Sequence, residues 1–340
     1  DQVKKMAELG FMGMMVSPEY GGGGMDTISY VLAMEEISKV DASSSVIMSV
    51  NNSLVCWGIE TYGSQEQKDK YLKRLATGEI IGAFCLSEPE AGSDATSQRT
   101  TAIDNGDHYI LNGTKNWITN GNSASVYLVI AQTDHALGHK GINAFIVEKE
   151  TDGVIVGKKE DKLGIRGSDT HSIMFTDVKV PKENRIGENG FGFSFAMKTL
   201  SGGRIGIAAQ ALGIASGAYE LSLKYSKERK AFGKEISNHQ AIAFKLADMA
   251  TEIEAARLLC LKAAWLKDNG MNYDKESAMA KVYASETAMK TATEAVQIHG
   301  GYGFVKEYHV ERLMRDAKIT QIYEGTSEIQ RIVISRSVLK

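Results

Sequence analysis

A chain of 340 residues, 43% hydrophobic and 24% charged, can bury a large core and has the balance of an ordinary globular protein of two or three domains. Its net charge of -3 gives no reason to expect nucleic acid, which needs a clustered basic surface, and no apolar run reaches the roughly 18 residues of a membrane span. Cys56, Cys85 and Cys260 stand far apart in apolar contexts. They read as small core residues in a reducing compartment, not as disulfide partners or metal ligands, so no metal is expected. The chain opens at Asp1 without a signal peptide, and a secreted protein is not expected.

Residues 1–78 read as helices. Gly10 closes the first, Asp26 can N-cap the apolar-rich run Thr27–Val40, and Ser64 with Gln67 matches a capping box before a charged helix that ends near Gly78. The glycine run 21–24 reads as a mobile turn. Over residues 79–189 the pattern changes to short β-rich runs, at 125–131 (SVYLVIA), 142–147 (INAFIV) and 172–175 (SIMF), with turn signals between them. No helical period alternates with these runs, so a β-barrel or sandwich is expected and a parallel Rossmann sheet is not.

Residues 190–340 are helical again. Ile242, Leu246, Met249, Ile253, Ala256, Cys260 and Ala263 recur at steps of four and three, as do Val282, Ser285, Met289, Ala292, Val296 and His299. Long helices with such stripes pack as an antiparallel bundle. The methionines in the stripes read as core filler.

No Walker A loop, dinucleotide G-x-G-x-x-G, HExxH or G-x-S-x-G is present, so any cofactor needs another kind of site. Four segments stand out. In residues 84–94 (FCLSEPEAGSD), Pro89 ends a strand and Gly92-Ser93-Asp94 offers a turn with free N–H groups. Such a turn can hold a heterocycle edge or a phosphate, or be an ordinary β-turn. Within KNWITNG, Trp117, Ile118 and Thr119 could wall a flat cofactor, or Trp117 could be a core residue at a strand end. The glycines of QIHGG (297–301) permit close approach of a ligand, or simply stop a helix, and His299 reads as a buried structural histidine. In IYEGTSEIQ (322–330), Ser327 and Gln330 match a capping box, which leaves Glu324 in the preceding loop. Taken alone, that glutamate reads as an acid favoured by the helix dipole.

All four segments occur in register with GGRIGIAAQALG (202–213) and ERKAFGK (228–234), and together they make the chain resemble the acyl-CoA dehydrogenase family over nearly its whole length. The likeness is greatest to short-chain (butyryl-CoA) members. The resemblance implies an N-terminal helical domain, a middle β-domain and a C-terminal four-helix bundle. Family members carry a few tens more residues at the N-terminus, so the first domain is expected to lack its first helices.

The resemblance also implies FAD as cofactor, held without a Rossmann motif. Phe84, Cys85, Leu86, Ser87, Gly92 and Ser93 would line its pyrimidine side, and Trp117, Ile118 and Thr119 would meet the ring. Arg229, Gln240, Gln297, Ile298, His299, Gly300 and Gly301 would reach the FAD of a neighbouring subunit in a homotetramer, the arginine offering a planar fork to the pyrophosphate. Thr326, Ser327 and Glu328 would complete the site. Ser93, Ser201, Gly202, Gly203, Arg204 and Gly325 match substrate contacts, Ser201 at a position where many relatives carry Asp.

The implied reaction is dehydrogenation of a short acyl-CoA to the trans-2-enoyl-CoA, with electrons passed on to electron-transfer flavoprotein. Glu324 would take the α-proton and flavin N5 the β-hydride. Relatives that place the base on another helix use the position held here by Gly203, which cannot take a proton. A glutamate titrating near ~4.3 is a feeble base, so a closed site is expected to raise its pKa toward neutrality. Two alternatives stand beside this one: an acyl-CoA oxidase using oxygen, and a non-catalytic DNA-binding relative. Chain length counts against the first and the lack of a basic stripe against the second. Bacterial cytoplasm and mitochondrial matrix both fit.

Overall fold

The computed structural model describes residues 1–340 and runs helical, then β, then helical along the chain. The first part holds α1 (Gln2–Glu8), α2 (Thr27–Val40), α3 (Ala42–Ser49), α4 (Trp57–Tyr62), α5 (Gln65–Gln67) and α6 (Lys73–Ala76). The second holds β1 (Gly82–Cys85), β2 (Thr101–Asp104), β3 (His108–Thr119), β4 (Val126–Gln132), β5 (Ile142–Glu148), β6 (Val154–Lys159), β7 (Thr170–Pro181) and β8 (Arg185–Ile186). The third holds α7 (Gly192–Glu228), a small hairpin of β9 (Lys230–Ala231) and β10 (Lys234–Glu235), then α8 (Gln240–Asp268), α9 (Asp274–His299), α10 (Val310–Thr320) and α11 (Ser327–Val338). In space the chain forms two compact units. One gathers residues 1–25, 46–161 and 167–203, the other residues 26–45, 162–166 and 204–340.

In the first unit the strands make one mixed sheet in the order β6-β7-β3-β2-β4-β5-β8, with β1 pairing parallel to β4. Tyr109 on β3 and Phe145 on β5 stack edge-on at 4.9 Å although β2 and β4 lie between their strands. Three strand spacings span about 14 Å in a flat sheet, so this one curls around its core. The enclosed cluster includes Ala83, Cys85, Tyr127, Val129, Phe145, Val147, Ile173 and Phe175. Asn51, in a π-helical turn between α3 and α4, donates to the carbonyls of Met12 (2.8 Å) and Leu75 (3.1 Å) and accepts from the Gly82 amide (3.0 Å). The capping box of Ser64 and Gln67 is formed.

The glycine run at 21–24 is not the mobile turn expected. The amides of Gly22, Gly23, Gly24 and Met25 donate to Ser17, Gly13, Val16 and Met14. A Cβ on Gly22 would lie 2.2 Å from the Val16 carbonyl oxygen, so glycine is needed there for close backbone approach.

A fully buried ion pair also lies in this unit. Lys115 Nζ on β3 donates to Glu88 Oε1 (2.7 Å), the Leu86 carbonyl (3.0 Å) and Gln98 Oε1 (3.2 Å). Glu88 Oε2 accepts from the Arg99 amide at 2.5 Å. Burial opposes ionisation of Glu88, but the Lys115 charge and these hydrogen bonds hold its carboxyl below the usual range.

In the second unit Asp26 caps α2 by accepting from the Ser29 amide, as expected, and Asp268 receives the Thr27 and Ile28 amides. On α8 the residues from Leu246 to Ala263 in the stripe are buried, with Ile242 packed at the margin. On α9 the expected stripe is off-centre: Val282, Met289 and Val296 are only half-buried. The buried face runs through Ala278, Lys281, Ala284, Ala288, Thr291, Ala295 and Ile298. Three helices, α8, α10 and α11, pack on α9, so small residues cover more of its girth than a single stripe.

Lys115→Met should destabilise the protein by about 3 kcal/mol or more, because it strands a buried carboxylate. Urea unfolding of the variant beside wild type measures this, and an unchanged midpoint would show that Glu88 needs no partner.

Candidate active site

The loop between α10 and α11 holds two consecutive residues in the left-handed region. The Tyr323 amide returns to the Ile319 carbonyl (3.1 Å) and the Ser327 amide to that of Gln321 (2.9 Å). Between them Glu324 has φ +51° and Gly325 φ +90°. A non-glycine residue in the left-handed region is held there by its surroundings, and such residues cluster at functional sites. A Cβ on Gly325 would also meet Gln330 Nε2 at 2.6 Å, so both backbone and space require glycine.

The capping box expected at Ser327 and Gln330 does not form, and the N-cap lies one residue earlier. Thr326 is the N-cap, its hydroxyl accepting from the Ile329 amide at 3.3 Å, and Ser327 is the first helical residue. The Gln330 side chain turns to the loop instead and donates to the carbonyls of Glu324 (3.2 Å) and Gly325 (2.8 Å). Lys281 Nζ, wholly buried on α9, donates to the Gly325 carbonyl at 2.7 Å. The Tyr323 hydroxyl bonds to Gln210 Oε1, and Gln210 is fixed by the Ala42 carbonyl (2.8 Å).

This scaffold closes off the Glu324 carboxyl. The residue keeps some exposure, but Oε2 is buried and accepts no hydrogen bond. Burial raises its pKa from 4.5 to about 7, and the charges of Lys281 and Arg204 restrain the rise. Burial also pushes Lys281 down to about 8, against the pull of Glu324. The result is an acid poised near neutrality with one oxygen uncommitted, the property of a group that exchanges protons with a ligand.

Other expected site residues fall into three groups. Ser201, Gly202, Gly203 and Arg204 are consecutive and buried on α7, with the Ser201 hydroxyl bonded back to the Met197 carbonyl (3.2 Å). In the second unit Arg229, Ile298, His299, Gly300 and Gly301 line one cavity of about 550 Å³ with Tyr225 and Tyr302. There His299 stacks on Tyr225 at 4.2 Å and bonds the Ala295 carbonyl (2.8 Å), as a structural histidine would. Burial lowers its pKa. The Arg229 guanidinium lies 5.7 Å from the Tyr302 ring, and nothing stands within 4 Å of a Cβ on Gly300 or Gly301. Gln240 and Gln297 are exposed, as is Glu328 at the start of α11.

The third group belongs to the first unit and corrects the sequence reading. Trp117 is no core residue: it is 63% exposed, with φ +62°, where the pairing of β3 with β7 slips. Ile118 and Cys85 point into the β-core, so their side chains cannot meet a ligand and only their backbone groups could. The tight turn lies at Glu88–Ala91, closed by mutual amide–carbonyl bonds, one step before the expected glycine turn. Phe84, Leu86, Ser87 and Thr119 are half-buried, and Gly92 and Ser93 are exposed. Sequence reasoning passed over Lys281, Gln210 and the Lys115–Glu88 pair. For Lys281 the only signal was a cation in step with Ala278 and Ala284.

Models of the acyl-CoA dehydrogenase N-terminal, middle and C-terminal domains match residues 1–79, 83–178 and 190–339. A short-chain specific acyl-CoA dehydrogenase of Clostridium acetobutylicum is 53% identical over 340 residues, which are 100% of this chain and 90% of that protein. The solved butyryl-CoA dehydrogenase of Megasphaera elsdenii superposes with a TM-score of 0.98 at 50% identity, covering 99% of this chain and 89% of that one. A chain from the structural work on the electron transferring flavoprotein of Acidaminococcus fermentans also reaches 0.98, at 54% identity and with the same coverage. These matches across the helical, β and helical domains mark a flavoprotein oxidoreductase. The chain belongs to the acyl-CoA dehydrogenase family.

A raised carboxyl pKa carries a signature in stability. The folded state holds the proton more tightly than the unfolded one, so the stabilisation is complete below pH 4.5 and is lost as pH rises through about 7. Glu324→Gln should therefore gain in melting temperature over wild type between pH 5 and pH 8. Calorimetry at both values checks this, and a gap independent of pH would place the carboxyl in its ordinary range.

Proposed function

We propose that this chain dehydrogenates short-chain acyl-CoA thioesters to trans-2-enoyl-CoA, with Glu324 as the base that takes the α-proton. The observation that carries the reading is the buried, uncommitted Oε2 on a carboxyl raised to about 7. A thioester α C–H is a very weak acid, so three effects must combine. The left-handed loop fixes the carboxylate against the reacting carbon. A closed site makes the carboxylate more basic than a solvated one, and Oε2 receives the proton. The amide of Glu324 supplies a donor for the developing enolate oxygen.

The residues present fit FAD. An exposed indole on a left-handed bulge offers a face to a flat ring, and Arg229 beside the open edge of Gly300 and Gly301 suits a pyrophosphate. Phe84, Leu86, Ser87, Trp117 and Thr119 would hold the ring region, with backbone groups of Cys85 and Ile118. Arg229, Gln240 and residues 297–301 would hold the FAD of a neighbouring subunit in a homotetramer. Bound FAD supplies the acceptor for the β-hydride. Ser93, residues 201–204 and Gly325 would contact the acyl-CoA. Short-chain preference rests on the activities named for the relatives, and electron-transfer flavoprotein as acceptor on the Acidaminococcus work. Three buried, unpaired cysteines suit a reducing compartment such as bacterial cytoplasm or mitochondrial matrix.

Anaerobic flavin bleaching by acyl-CoAs of increasing length tests the proposal. Bleaching should be fastest with four-carbon chains, slow by about 10³-fold in Glu324→Gln, and yield little peroxide in air. Most of the rate surviving in the variant would sink Glu324 as the base, and stoichiometric peroxide would favour the oxidase alternative.

A further inference from the structure

The Glu324 loop depends on a residue with no role in the reaction as described. Lys281 has no solvent exposure, yet α9 carries it on the face that packs against α8, α10 and α11. An unpaired buried ammonium is expensive, and such a group persists where it meets a specific demand. Its one hydrogen bond goes to the Gly325 carbonyl, the peptide oxygen next to Glu324. Gln330, also fully buried, donates to the same oxygen and to that of Glu324. Two donors from two helices thus grip consecutive carbonyls across the segment with φ of +51° and +90°.

We propose that Lys281 is a positioning residue for the base: with Gln330 it clamps the left-handed turn, and its charge favours the ionised form of Glu324. This rests on Glu324 being the base. The groups facing the pair come from α7, α9, α11 and the adjoining loops. Arg204 of α7 faces Glu324, and Tyr323 adjoins it in the loop. Glu286 of α9 and Glu328 of α11 face Lys281, and Asp274 and Tyr273 face Arg204. Only the two cations favour the charged carboxylate, so removing Lys281 must raise its pKa.

The pH profile of flavin reduction in the holoenzyme separates the two duties. Lys281→Gln retains a donor without a charge. Its acid limb should move to higher pH, costing on the order of tenfold at pH 6, while the alkaline plateau stays near wild type. Lys281→Met should show the same movement together with a plateau lowered by about tenfold. Gln330→Leu should lower the plateau and leave the limb in place. Unmoved limbs in both lysine variants, with Glu324→Gln inactive, would overturn this inference and leave the base standing. An active Glu324→Gln would instead remove the base itself. Should neither lysine variant fold, Gln330→Leu decides, since a wild-type plateau in it overturns the clamp.

Discussion

The arrangement depends on the cost of withdrawing one carboxylate from water. Left alone, a buried carboxyl keeps its proton and is useless as a base at neutral pH. Fully paired, it ionises readily and is too weak a base. Glu324 lies between these limits, since burial dominates and two buried cations offset it without bonding to Oε2. The side chains of Lys281 and Gln330 hold the backbone carbonyls of its left-handed loop.

Glu88 shows the other outcome of the same physics. It too is buried beside a lysine, but it receives the ammonium at 2.7 Å and backbone amides as well. Every lone pair that matters is satisfied and its carboxyl falls below the usual range. That pair ties the turn at Glu88–Ala91 to the strand that carries the Trp117 bulge. Two glutamates beside buried lysines thus shift in opposite directions through their hydrogen bonds.

Much of the fold was legible because local chemistry declared it. Asp26 and Ser64 cap helices where their side chains predict, and the α8 stripe is the buried seam. Other elements depended on partners distant in sequence. The glycine run is held still by carbonyls of residues 13–17, and α9 buries a broad face because three helices surround it. Trp117 looked like core because tryptophan usually is, whereas a register slip turns it out. Glu324 could be picked out only by resemblance, since nothing local reveals that its side chain is enclosed. Lys281 was invisible for a plainer reason: a lysine on a helix is nearly always at the surface.

The π-helical turn that carries Asn51 bears on how the first unit assembles. Its amide bridges an early loop, the end of the helical stretch and the opening residue of the sheet. Gln67 and Tyr71 likewise find their partners at Glu183, Arg185 and Glu148. A fragment cut at residue 79 would lose the Gly82 amide, the Glu183 and Arg185 carbonyls and the Glu148 carboxylate as partners. The N-terminal helices of this unit are therefore tied to its later residues by side-chain hydrogen bonds as well as by packing.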